Sequence, residues 1–347
     1  MTSLPDENVA YVLETPGSPL NRASRRLPTP VRGQALVRNL ATSVNYHDVL
    51  NVQGLVPFVL WPRVPYSDNC SEIVALGPEP GSWQVGDRVL ANFFVDWIDG
   101  PPNQRYCSRV YGDQNDGFLQ DYTLVETASL VIAPAHLTAG EVATLGCAGL
   151  TAWRSVVVEA GVGPGDVVVI QGTGGVSLFA LQFAKMVGAE VILLSSSEEK
   201  LAFGRTLGAD HVHNYREDPA WDAAVMDFTG GRGANLVVEI GGADTMARSL
   251  NAVCLNGHVS VIGIRTGAGL PAAMPIEQIL IRNITVRGMT VGSRRQLEQM
   301  CAAMTVNRMC PVIDRHFGIE DTEAAMALME SQSHRGKIVI DIAGETR

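Results

Sequence analysis

The run Val167-Val168-Val169-Ile170-Gln171-Gly172-Thr173-Gly174-Gly175-Val176-Ser177 decides the fold. Val167–Gln171 reads as a continuous apolar strand, Gly172 to Gly174 as a tight turn, and Val176–Val187 as a helix stopped by Gly188. Each glycine has a physical task. Gly172 permits the turn, and the missing side chain of Gly174 lets a pyrophosphate approach the backbone. The free amides of the helix N-terminus then meet the anion. Ser177 fills the third position of G-x-G-x-x-G and is small enough for helix and strand to pack closely. A lone glycine motif also describes an ordinary strand-to-helix turn. Here strand, turn, helix and next strand follow in the order a dinucleotide site requires.

Working outward, Glu190–Leu194 reads as a second strand, Glu198–Leu207 as a helix and His211–His213 as a short strand. Leu236–Ile240 and His258–Gly263 add two more, separated by a helix over Ala243–Val253. Apolar strands alternating with helices imply a parallel sheet covered on both faces. Upstream, from Val9 to about Pro134, the pattern changes to short strands (Gln34–Arg38, Ile73–Leu76, Arg88–Phe93, Asp121–Val125) separated by turn residues such as Val85-Gly86-Asp87. That pattern predicts a mostly antiparallel, barrel-like unit. Thr138-Ala139-Gly140-Glu141 has the form of a capping box opening a helix towards Leu150, and a second helical stretch covers Ala152–Glu159. Helices at Arg294–Met304 and Thr322–Met329 and a strand at Lys337–Ile342 follow the parallel region. The expected division is residues 1–146 with 290–347 as a catalytic domain and 147–289 as the dinucleotide-binding domain.

Composition excludes several classes. The 347 residues are 46% hydrophobic and 18% charged, enough apolar content for two buried cores. The formal charge of −10 argues against nucleic acid as a partner, and the cluster Arg22, Arg25, Arg26 beside prolines reads as a solvated turn. Six scattered cysteines without a C-x-x-C pair suggest reduced thiols. Met1–Tyr11 lacks the charge and apolar pattern of a secretory signal, and no apolar run reaches the ~20 residues of a membrane helix. A cytoplasmic protein acting on a small molecule, away from membranes, is expected.

The end of the second strand bears on which nicotinamide is used. An NAD site places Asp or Glu there for the ribose hydroxyls, whereas this chain has Leu194-Ser195-Ser196-Ser197, followed by Lys200 and, after the next strand, Tyr215. Hydroxyls and a cation suit a 2′-phosphate, so NADPH is expected over NADH. Ser195–Ser197 would also cap the helix at Glu198, and the acids Glu198 and Glu199 weigh on the other side.

The chain resembles the medium-chain dehydrogenase/reductase superfamily, specifically its zinc-free quinone oxidoreductase and enoyl reductase-like branch. The residues that carry this are Ser43-Val44-Asn45-Tyr46-His47-Asp48, Gln84-Val85-Gly86-Asp87-Arg88-Val89, Cys147-Ala148-Gly149-Leu150-Thr151-Ala152-Trp153, the glycine turn and Gly336-Lys337-Ile338-Val339. The resemblance spans nearly the whole chain. It implies a Rossmann doubly wound parallel sheet plus a GroES-like β-barrel, with the active site in the cleft between them and a homodimer built by edge-to-edge pairing near His258–Gly263 or Val286–Val291. In zinc-dependent members a cysteine stands where this chain has Asn45, a His-Glu pair where it has Ser67-Asp68, and a second cysteine aligns with Cys147. One retained thiol falls short of the three protein ligands of a catalytic zinc site, and Cys107 alone lies in the region of the structural zinc lobe. No zinc is expected.

Without a Lewis acid, conjugated acceptors suit such a site better than alcohols. Hydride reaches the β-carbon of an enone, enal, enoyl thioester or quinone, and the enolate needs only hydrogen bonds and a proton. By resemblance, Asn45 contacts the nicotinamide ribose or the substrate oxygen. Tyr46 matches an aromatic position that is a proton donor in some enoyl reductases and pocket wall in others. Asp48 is a further catalytic candidate, or the cap of the following helix. His47 replaces an arginine common in the family pattern and reads as a surface or structural residue. The expected cofactor set is Asn45, Thr151, Gly172, Thr173, Gly174, Gly175, Val176, Ser195, Ser196, Lys200, Tyr215, Gly241, Gly263, Ile264 and Gly292. A metal-free alcohol dehydrogenase or ketone reductase is the alternative within enzymes, and a non-catalytic NADPH-binding protein the alternative outside them.

Overall fold

A computed structural model describes residues 4–264 and 274–343. The chain forms two compact units, Met1–Leu150 with Val291–Arg347, and Thr151–Thr290.

The second unit is built on the quoted run. Val167–Gln171 is a buried strand at the centre of a six-stranded sheet, all of whose pairings are parallel. Counting Val167–Gln171 as first, the strands Glu190–Ser195, His211–Asn214, Ala234–Glu239, Val253–Val261 and Thr285–Gly288 complete the order third, second, first, fourth, fifth, sixth. This is the doubly wound dinucleotide-binding order, in which the order of strand addition reverses beside the first strand while every strand stays parallel. Val167 to Ile170 and Val191 to Leu194 are at most 1% exposed, because helices cover both faces of the sheet.

Two elements differ from the sequence reading. The helix expected over Ala243–Val253 covers only Met246–Ala252, and the fifth strand begins at Val253 instead of His258. Its register jumps from Ala234↔Val253 to Leu236↔His258, with Asn256 in the left-handed region at φ 58°. This bulge has no period that a pattern could reveal. The helix Trp221–Phe228 was not anticipated either.

The first unit holds a seven-stranded, largely antiparallel sheet. Its long strand Gln34–Val44 pairs antiparallel with Cys70–Leu76, Tyr122–Glu126 and the late strand Lys337–Asp341. The basic cluster Arg22, Arg25, Arg26 lies in a strand, Asn21–Arg26, paired with Glu7–Val12, and not in a turn. Arg25 there meets Asp116 at 3.0 Å, so alternating contacts won over the flanking prolines. In the irregular stretch after Phe93, Trp97 is fully buried and its Nε1–H donates to the Gly100 carbonyl at 2.9 Å. The Thr138–Glu141 capping box forms as expected. Beyond it, Leu145–Gly149 and Arg154–Glu159 are wide π-helical turns.

Candidate functional site

Two constellations stand out, one in each unit. In the parallel unit, Gly172 has φ 74°, which its lack of a side chain permits, and its N–H donates to Leu194 O at 2.6 Å, tying the turn to the second strand. Ser177 Oγ donates to Gln171 O at 2.7 Å and locks the helix onto the first strand. A Cβ on Gly174 would meet no atom within 4 Å. Among the described residues no neighbour therefore requires glycine there and no side chain caps the helix Gly175–Met186, at whose N-cap the open space lies. A pyrophosphate fits such a cradle. Gly263 is glycine for a different reason, since a Cβ would lie 1.8 Å from Ile240 O.

The expected phosphate residues collect at one end of the sheet. Ser195 ends the second strand in register with Asn214, Tyr215 N donates to Ser195 O at 3.1 Å, Ser196 follows in the loop, and Lys200 lies in the helix Glu198–Thr206. Glu198 is drawn to Asn214, whose Nδ2 donates to it at 3.0 Å. A cavity beside them is lined by Gln171, Gly172, Tyr215, Ile240, Gly241 and Arg248, among others. Thr173, Gly175 and Val176 belong to the glycine turn and its helix, and Thr151 and Ile264 also fall in this unit, Thr151 buried and Ile264 exposed.

Sequence reasoning missed the group that shapes this end of the sheet. Glu239 is fully buried. Its Oε1 accepts from Gly241 N at 2.7 Å, Gly242 N at 2.9 Å and Thr245 Oγ at 2.6 Å, while Oε2 accepts from Gln171 Nε2 at 2.7 Å and from Ser249 Oγ. Five donors offset the cost of burying a carboxylate. The signal was available: Gln171 follows the apolar run Val167–Ile170 and Glu239 the apolar run Leu236–Val238, each at the end of its strand.

In the other unit, the positions compared above with zinc ligands form a closed polar cluster. Asp68 is fully buried, and its Oδ2 accepts from Ser43 Oγ at 2.8 Å, Asn45 Nδ2 at 2.8 Å and Lys337 Nζ at 3.3 Å. Lys337 is 2% exposed and also donates to Val44 O at 2.9 Å and to Asn45 Oδ1. All three ammonium hydrogens are thereby engaged. Among the described residues Asp68 Oδ1 has no partner, and it faces Gly146, where a Cβ would come within 2.8 Å of it. Burial and the nearby Asp68 hold the Cys147 thiol well above its ordinary range. Among the described residues, no group of three or more His, Cys, Asp or Glu could hold a metal ion. Lys337 was quoted in the sequence as part of a motif only; its reach to Asn45 across 292 residues has no local signature.

The helix Tyr46–Val52 begins on this cluster. Asn45 N–H donates to Asp48 Oδ2 at 2.7 Å, so Asp48 caps the helix, and burial pushes its carboxyl up to about 7. Tyr46 is exposed on the first turn. His47, read as a surface or structural residue, is partly buried: its Nε2 lies 3.0 and 3.1 Å from the two oxygens of buried Asp113, which also accepts from Asn51 Nδ2, and its ring meets Phe93 edge-on at 5.3 Å. Gly292 also belongs to this unit, where its carbonyl accepts from Asn92 Nδ2 at 3.3 Å.

A doubly wound sheet with an open glycine cradle, joined in one chain to an antiparallel unit carrying a polar centre, defines a dinucleotide-dependent dehydrogenase or reductase. The comparisons agree. The zinc-binding dehydrogenase family matches residues 175–305 and the alcohol dehydrogenase GroES-like domain residues 31–135. A zinc-type alcohol dehydrogenase-like protein of Schizosaccharomyces pombe is 38% identical, over 89% of this chain and 91% of its own length. A crystal structure from Sinorhizobium meliloti 1021, described as an alcohol dehydrogenase, superposes with a TM-score of 0.92 at 38% identity, covering 98% of this chain and 100% of that one. A crotonyl-CoA reductase of Streptomyces collinus is 26% identical over 88% of this chain and 78% of its own. The chain belongs to the medium-chain dehydrogenase/reductase superfamily and is an NAD(P)-dependent oxidoreductase with a GroES-like unit and a Rossmann sheet.

Proposed function

We propose that this enzyme reduces a conjugated acceptor (an enone, enal, enoyl thioester or quinone) with NADPH and without zinc. The observation that carries the reading is the Lys337 ammonium, which is bonded to both Asn45 and Asp68. A zinc ion needs anionic or imidazole donors free to turn towards it. Here one position is an amide, the Asp68 carboxylate is bonded through Oδ2 to three donors including the Lys337 ammonium and keeps only Oδ1, and a single thiol is retained. A dication beside a buried ammonium would also be repelled. The donor set does not fit the metal named in the relatives' descriptions, and no step is derived through it.

The dinucleotide does fit. The Gly174 space and the first amides of its helix would hold the pyrophosphate, and Ser195, Ser196, Lys200 and Tyr215 the 2′-phosphate. When bound, the reduced nicotinamide supplies a hydride. Asn45 serves the acceptor through its amide: Lys337 fixes Oδ1 and Asp68 takes one Nδ2 hydrogen, which orients the other as a donor for a developing oxyanion. Enoyl thioesters gain support from the crotonyl-CoA reductase similarity. A homodimer completes the proposal. Thr285–Gly288 is an edge strand, and the preceding helix exposes Ile276, Leu280 and Ile281.

Stopped-flow oxidation of NADPH and NADH by a panel of enones, quinones, enoyl thioesters, aldehydes and ketones, on protein of measured zinc content, tests this. The expected result is NADPH preferred at least tenfold, turnover confined to conjugated acceptors, and zinc well below one per chain. Alcohol or aldehyde turnover that rises with bound zinc overturns it.

A further inference from the structure

The proposed reduction leaves an enolate that must be protonated, and none of the groups described so far supplies that proton well. Tyr46 lies on an exposed turn, Asp48 is spent on the Asn45 amide, and the ammonium hydrogens of Lys337 are all engaged. We propose that His47, held by Asp113, is the proton donor of the reaction. This inference rests on the reading of the reaction as reduction of a conjugated acceptor.

The geometry is that of an oriented imidazole. Nε2 faces both oxygens of Asp113, at 3.0 and 3.1 Å, so Nε2–H is the donor to the carboxylate and Nδ1 is left for the reactive proton. Among the described residues Nδ1 has no hydrogen-bond partner, and the side chain is 25% exposed. Asn51 pins Asp113 from the same helix, and Phe93 packs against the ring. His47 is two residues from Asn45, whose amide is oriented for the oxyanion.

The charges around the ring favour its protonated form. Asp113 faces it from the loop after Val110, Asp48 from its own helix and Asp68 from the segment before Cys70, whereas the Lys337 cation is turned onto Asp68 and Asn45. Burial works in the other direction, yet the carboxylates prevail and His47 is held above its ordinary value of 6.5. The step balances. The β-carbon gains a hydride, with two electrons, from the reduced nicotinamide, and the C=C π pair moves into the enolate. The Nδ1–H bond of the imidazolium breaks, its proton forms the new C–H bond at the α-carbon, and the neutral imidazole is recharged from solvent. A quinone takes the same proton on oxygen.

The competing role is a structural ion pair, and the family pattern supplies the discriminating variant. His47→Arg keeps a cation on Asp113 but holds no proton to give near neutral pH. Expected are an unchanged Kd for NADPH, a kcat at least 30-fold lower, and loss of the fall in kcat that the wild type shows above the His47 pKa. In parallel, NMR titration of the His47 ring in the wild type gives a pKa above 6.5, and Asp113→Asn brings it down. His47→Arg turning over within threefold of wild type, or keeping the alkaline fall, overturns the assignment. A ring that titrates at or below 6.5 overturns the dyad without reference to activity. A wild type that reduces no conjugated acceptor overturns the reading of the reaction instead.

Discussion

Asp48 shows how one residue carries two demands. Its carboxylate accepts the Asn45 N–H at the helix start, yet Oδ1 is buried with no partner among the described residues, and the group is pushed from 3.8 up to about 7. The folded protein therefore binds this proton more tightly than the unfolded chain does. The stabilising contribution is full below pH 3.8, declines as pH rises, and is lost above about 7, where a buried charge remains. A shift of that size corresponds to roughly 4 kcal/mol. Asp48→Asn keeps an oxygen for the Asn45 amide and removes the charge. It should melt above the wild type at pH 8 and close to it at pH 4, read by calorimetry at both values. A variant less stable than wild type at pH 8 would show that the carboxylate is needed ionised.

At the scale of elements, the glycine turn shows what a sequence makes legible. Strand, turn and helix are local and periodic, so Val167–Gln171 and the helix after Gly174 were readable within a residue or two of their ends. Gly174 separates ligand from protein requirements, because none of the described residues would touch its Cβ. Gly174→Ala should leave stability within about 1 kcal/mol while raising the Kd for NADPH at least tenfold, measured by fluorescence titration. Equal weakening of fold and cofactor binding would place the glycine in the scaffold. The chemistry of the other unit was far less readable. Asn45, Asp68 and Lys337 were each visible in motifs, but Lys337 meets Asn45 only through strand pairing between Lys337–Asp341 and Gln34–Val44. His47 read as either a surface or a structural residue because its partner Asp113 lies 66 residues away in an irregular segment without periodicity. The bulge at Asn256 escaped for the same reason: a single left-handed residue shifts the register without altering the apolar pattern.

For the whole molecule, the exposed apolar residues of the helix Ile276–Ile281 lie next in sequence to the edge strand Thr285–Gly288. An edge strand with no further partner among the described residues invites pairing with a second copy, which would extend the parallel unit across a two-fold axis. Sedimentation at micromolar concentration should give a dimer, and Leu280→Asp with Ile281→Asp should shift it towards monomer while each chain stays folded. A wild-type monomer under those conditions refutes the assembly.

The split of the first unit into two sequence segments has a consequence for biosynthesis. The strand that brings Lys337 to Asn45 leaves the ribosome some 290 residues after its partner, a wait of roughly 15 to 60 s at typical elongation rates. Throughout that interval Ala41–Val44 lacks this partner strand, while Gln34–Arg38 can already pair with Tyr122–Glu126. Thr151–Thr290, by contrast, holds all six strands of its sheet within one continuous stretch and can close as soon as it emerges. The middle of this chain is thus able to mature before its beginning, and nascent amino-terminal strands are the part that would call on a chaperone.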